Sequence, residues 1–154
     1  MKRWRNGLAI GMFAATAWAA GGDGAGGGGG GDTEVRRDPS YQAGVVAIER
    51  QDWQRAIQMF ETSLRWDRFN ADAHNWLGYA YRNAGNMNRA FQEYELALKL
   101  DPAHIGAHEY LGEAYVIAKD MPNAKAHLAA LEKLCGRNCP QYRDLQEAIE
   151  KAGG

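Results

Sequence analysis

The stretch Trp76-Leu77-Gly78-Tyr79-Ala80-Tyr81, followed at helical spacing by Gly85, Ala90, Tyr94, Ala97 and Asp101-Pro102, fixes the reading of this chain. Leu77, Gly78 and Tyr81 stand at i, i+1 and i+4, and Ala90, Tyr94, Ala97 and Leu98 form a second apolar stripe, so the segment reads as two amphipathic helices. Gly85 supplies a stop that tolerates left-handed backbone. Asn86 then offers a side-chain oxygen to the free N–H groups that open the second helix. Pro102 closes the pair, because proline cannot extend the preceding helix.

Working outward, the same pattern recurs at an offset of 34 residues: Gly44, Gly78 and Gly112; Ala56, Ala90 and Ala124; Asp52, Asn86 and Asp120; Phe60, Tyr94 and Leu128. Three units follow, over 37–70, 71–104 and 105–138. Gln51 and Lys119 take the place of Gly85 less comfortably, and Pro122 falls in the first turn of its helix, where its missing N–H costs little. The glycines are expected where the two helices of a unit cross, with the alanines opposite and the large aromatics filling the gaps to either side. His74 and His108 occupy one repeat position and read as substitutes for a half-buried aromatic. After the third unit, Pro140 to Ile149 carries a single apolar stripe of Tyr142, Leu145 and Ile149, which predicts a capping helix over 139–151.

These residues resemble the tetratricopeptide repeat (TPR) family, with the middle unit the strongest match and both outer units atypical. The resemblance implies an all-α, TPR-like α-solenoid of three helix-turn-helix repeats plus a C-terminal capping helix. It also implies a concave groove lined by the first helix of each unit, here Tyr41, Val45, Asn75, Tyr79, Arg82, Asn83, Glu109, Glu113 and Val116, that binds a peptide or protein segment. Asn75 and Asn83 can each donate and accept, Tyr79 supplies flat apolar area, and Arg82 is the one clear cation for a carboxylate. The chaperone-adaptor branch clamps a carboxylate with Lys, Asn and Arg, whereas the corresponding positions here are Tyr41, Val45, Gly106 and Tyr110. A basic or neutral ligand segment near the third unit fits better.

The rest of the chain sets limits on function. With 154 residues, 18 Lys+Arg and 19 Asp+Glu, the formal net charge is −1, which offers no basic footprint for nucleic acid. A basic head, Lys2-Arg3-Trp4-Arg5, precedes an uncharged stretch from Gly7 to Ala20 that is short for a membrane span, and Ala17-Trp18-Ala19 has the small-x-small form of a signal-peptidase site. Residues 1–19 are therefore expected to be a secretory signal, and the protein to be exported to the periplasm or secreted, with no stable membrane span after signal removal. Nine glycines between Gly21 and Gly31 predict a flexible linker over 20–36.

Cys135 and Cys139 are the only cysteines, and in an exported chain an even count favours a disulfide. No nucleophile elbow, paired-carboxylate motif, metal-ligand pattern or cofactor loop stands out. The expectation is a non-catalytic scaffold or adaptor with no metal and no cofactor, able to self-associate through its concave face or its ends. The alternative is a thiol-disulfide or metal-handling accessory protein centred on Cys135 and Cys139.

Overall fold

The computed structural model describes residues 38–153. The expected signal at 1–19 and linker at 20–36 lie outside the described residues. Seven helices follow in order: α1 (Pro39–Glu49), α2 (Trp53–Trp66), α3 (Ala71–Asn83), α4 (Met87–Leu100), α5 (Ile105–Ile117), α6 (Met121–Cys135) and α7 (Pro140–Lys151). There is no strand among the described residues.

Each pair turns on the same local chemistry. Gln51, Gly85 and Lys119 have φ of 57°, 84° and 61°, the left-handed backbone that the sequence pattern demanded even where the residue is not glycine. This conformation lets the N–H groups of Asp52, Asn86 and Asp120 donate back to the carbonyls of Ala47, Tyr81 and Tyr115, closing the first helix. The same three side chains then cap the second helix by accepting from Arg55, Arg89 and Asn123 N–H at 3.1 to 3.2 Å.

The helices pack in sequence: α1 on α2, α3 on α4, α5 on α6, with α2 against α3 and α4 against α5. Ala56, Ala90 and Ala124 are fully buried. Their expected partners differ from the pattern reading, because what covers each glycine is a large side chain, not an alanine. A Cβ at Gly44 would stand 2.8 Å from the Phe60 ring, and one at Gly78 would stand 2.7 Å from the Tyr94 ring. The reason is size: a ring laid flat on bare backbone fills the crossing in a way an alanine methyl cannot. At Gly112 the covering side chain is Leu145 of α7.

Helix α7 packs on both α5 and α6 and buries Tyr142, Leu145 and Ile149, which join Ala124 and Leu131 in a second apolar cluster. It therefore occupies the place that the first helix of a further repeat would take, while Arg143, Asp144, Glu147 and Glu150 stay exposed. The fold is a three-repeat α-solenoid ended by a capping helix.

Candidate functional site: the concave face of the first helices

First helices of successive pairs touch, α1 with α3 and α3 with α5, whereas α2, α4 and α6 make no such contacts with one another. A row drawn together on one side and spread on the other curves toward the tighter side, so α1, α3 and α5 line the concave face. Among the described residues no helix is long and apolar enough to cross a membrane.

The centre of this face is a seam between α3 and α5. Arg82 Nη1 lies 2.6 Å from Glu113 Oε2 and donates to the Tyr110 carbonyl at 3.3 Å, with side-chain exposures of 10% for Arg82 and 19% for Glu113. The guanidinium sits over the rings of Tyr79 and Tyr110, at 5.2 and 5.5 Å from their centroids, which adds a cation–π contact to the ion pair. Tyr79 and Tyr110 are themselves 4.9 Å apart, and Trp76 and Trp53 meet Tyr79 edge-on. The result is a partly exposed aromatic floor braced by a desolvated salt bridge. Below it the Tyr94 hydroxyl is buried with no hydrogen-bond partner among the described residues, and burial pushes its ionisation well above the usual range.

The expected groove residues divide into three groups. Tyr79, Arg82 and Glu113 come together in the seam. Tyr41, edge-on to Phe60, and Val45 lie half-buried on α1, while Val116 packs at the other end against the α7 cluster. Asn83 is exposed and donates to the carbonyl of Tyr79 at 2.8 Å. Two expectations need correction. Arg82 is not a free cation for a ligand carboxylate, because Glu113 already holds it. Asn75 and Glu109 are not open groove side chains but are 4% and 8% exposed. Burial, together with the negative charges of Glu113 and Asp144, pushes the Glu109 carboxyl up to about 8, so it carries its proton at pH 7.

The pattern reading left Trp53 and Trp76 out of the groove and named Tyr110 only as the residue standing where a clamp side chain would be. Trp76 and Tyr110 occupy the same repeat position, 34 apart, and that recurrence of a large aromatic was the available signal.

The histidines are structural. His74 Nδ1 lies 2.7 Å from Glu93 Oε2 and its Nε2 lies 3.1 Å from the Arg68 carbonyl oxygen, and the hydrogen bond with Glu93 raises its pKa against the opposing effect of burial. His108 repeats the arrangement with the Pro102 carbonyl and with His127, whose Nδ1 is 2.9 Å from its own. Burial and the facing His108 push His127 down to about 4. His104 caps α5 by accepting from Ala107 N–H and meets Asp72 at 3.0 Å. Among the described residues no three His, Cys, Asp or Glu side chains converge as a metal site.

Cys135 and Cys139 are joined by a disulfide across the turn between α6 and α7. Closing so short a loop removes only about 2 kcal/mol of unfolded-state entropy. Its effect is local, tying the end of α6 to the start of α7.

An all-helical array of paired helices with a braced aromatic concave face is the architecture of a repeat scaffold. Residues 41–105 match the family model described as tetratricopeptide repeat. Among solved structures it is similar to the TPR2B domain of yeast Sti1, determined as a complex with pHsp70 (17% identity, 74% of this chain and 93% of that one, TM-score 0.68). It is also similar to the type III secretion chaperone SycD of Yersinia enterocolitica, determined with a peptide of the translocator YopD (15% identity, 78% and 93%, TM-score 0.65). A third is MamA of Desulfovibrio magneticus RS-1 (24% identity, 66% and 58%, TM-score 0.61). No curated protein matches the sequence.

Proposed function

We propose that this protein is a non-catalytic scaffold that holds an extended segment of another polypeptide along the concave face of α1, α3 and α5, after export to the periplasm or cell envelope. The observation that carries the reading is the partly exposed floor of Trp76, Tyr79 and Tyr110, held rigid by the Arg82–Glu113 pair. Rigid aromatics give contact area at little entropic cost, the economical way to grip a flexible chain. Two of the similar folds, the Sti1 domain and SycD, were determined in complexes of this general kind. Export is supported by the basic head, the short apolar stretch and the small-x-small site within residues 1–19, and by the bonded cysteine pair.

The test uses two exposed residues at one repeat position on the ends of α3 and α5, Asn83 and Ile117. Asn83→Lys with Ile117→Lys is expected to lower retention of a randomised pool of roughly ten-residue peptides by the immobilised full chain by about tenfold. The melt should shift by no more than ~0.5 kcal/mol equivalent, since neither side chain is packed. The same charge at Leu96 on α4 should leave retention unchanged. Equal loss at Leu96, or no loss at either place, would remove the concave face as the site. Self-association through that face would instead appear as mass growing with concentration in light scattering.

A further inference from the structure

We propose that the edge of the solenoid formed by the C-terminal ends of α2, α4 and α6 docks on the surface of an anionic phospholipid bilayer. Consecutive helices are joined by short turns and pack on one another, so they alternate in direction and these three ends lie along one edge. Trp66 ends α2, Leu100 ends α4, and Leu134 stands at the same repeat position in α6, at steps of 34 residues. They are 84%, 36% and 40% exposed, and Phe69, in the turn that follows Trp66, is 65% exposed. One exposed apolar side chain needs no explanation; a recurring row that starts from two bare aromatics does.

Positive charge follows the same row. The residue before each apolar end is a base, Arg65, Lys99 or Lys133, and the Arg68 guanidinium stands 4.7 Å over the Phe69 ring. All four bases are exposed, and none holds an ion pair among the described residues. The acids nearby are engaged locally. Asp67 and Asp101 accept from Phe69 N–H and Ala103 N–H at 3.0 Å, Asp72 meets His104, and Glu132 holds Arg137. Glu61 and Glu95 lie one helical turn back from the edge. Set against Asp67 and Asp101, the four bases leave this edge cationic in a chain whose formal net charge is −1.

That chemistry selects the occupant. Tryptophan favours the headgroup level of a bilayer, where its ring meets acyl chains and its N–H meets polar groups, and each Lys or Arg close to an anionic surface adds attraction. A second protein fits less well. Trp66 and Phe69 together offer roughly 300 Å², whereas a stable complex takes about 800 Å² from each partner. Docking here leaves the concave face open, because Asn83 and Ile117 end α3 and α5 on the opposite edge.

The experiment labels the full chain with an environment-sensitive fluorophore at Leu100→Cys or, as the control, at Asn83→Cys; the two native cysteines are bonded to each other. Vesicles of phosphatidylcholine, with or without phosphatidylglycerol, are then added. Emission from position 100 should move to the blue only on vesicles with phosphatidylglycerol, the response should weaken with added salt, and position 83 should stay silent. Attachment through residues outside the described range does not by itself produce this pattern. Trp66→Ser with Phe69→Ser should abolish the shift. Arg65→Gln with Arg68→Gln should raise the lipid concentration it requires by about tenfold. Melting should not change, since all four side chains are exposed. No shift at position 100, equal shifts at both positions, or a shift that survives the serine pair would overturn the inference. So would an equal shift on polyglutamate, which would assign the edge to an acidic polypeptide. A shift that grows with protein concentration in the absence of vesicles would overturn it in favour of a second copy. None of these outcomes bears on the concave face.

Discussion

Arg82→Ala is expected to cost about 3 to 5 kcal/mol, seen as a fall in melting temperature on the order of 10 °C or more. The arginine is 90% shielded at its side chain and joins three groups at once, the Glu113 carboxylate, the Tyr110 carbonyl and the faces of Tyr79 and Tyr110. Its removal leaves the Glu113 carboxylate, 19% exposed, without a counter-charge and next to Glu109. The desolvation of both ions has already been met in the native state, so taking one away exposes the whole penalty of the other. Arg82→Met combined with Glu113→Leu should recover most of the loss, because an apolar pair needs no hydrogen bonds. A melt of Arg82→Ala matching the parent would show that the seam is solvated and that the aromatic floor is not braced by this pair.

Gly78→Leu should be comparably damaging, at about 3 kcal/mol or more. The first added carbon would already sit 2.7 Å from the Tyr94 ring, and Tyr94 is fully buried with no room to swing aside. The branched remainder of the leucine must push α3 away from α4, and with α4 goes its packing on α5. Because repeats are stabilised by their neighbours, a wedge in the central unit weakens both interfaces. Thermal unfolding of the variant should begin well below that of the parent; coincident curves would mean that the glycine is not the contact point of the two helices.

Local chemistry made the helices legible in advance. The caps at Asp52, Asn86 and Asp120 and the left-handed positions at Gln51, Gly85 and Lys119 depend on neighbours within a few residues, so the chain spells them out directly. The concave seam was harder to read because its contacts do not follow the repeat. Equivalent residues are 34 apart, but Arg82 pairs with Glu113 and Tyr79 with Tyr110, both 31 apart, because adjacent first helices are staggered by one turn. Aligning the units therefore set Arg82 beside Val116 and left it looking free, and Asn75 beside Glu109 with both looking open.

The third unit shows the same limit. The pattern places Leu128 where Phe60 and Tyr94 stand, yet Leu145 of α7 covers Gly112. A leucine is too short to spread over bare backbone as a ring does, and the capping helix fills the space that remains. Its apolar stripe was plain in the sequence, but the glycine it would cover was not.

The most direct measurement places a photo-crosslinking amino acid at Asn83, on the concave side, or at Leu96 on α4, and irradiates the full-length protein in its own cells. The scaffold account predicts an adduct with a second polypeptide from position 83 and none from position 96. Adducts formed only from position 96, or equally from both, would contradict it.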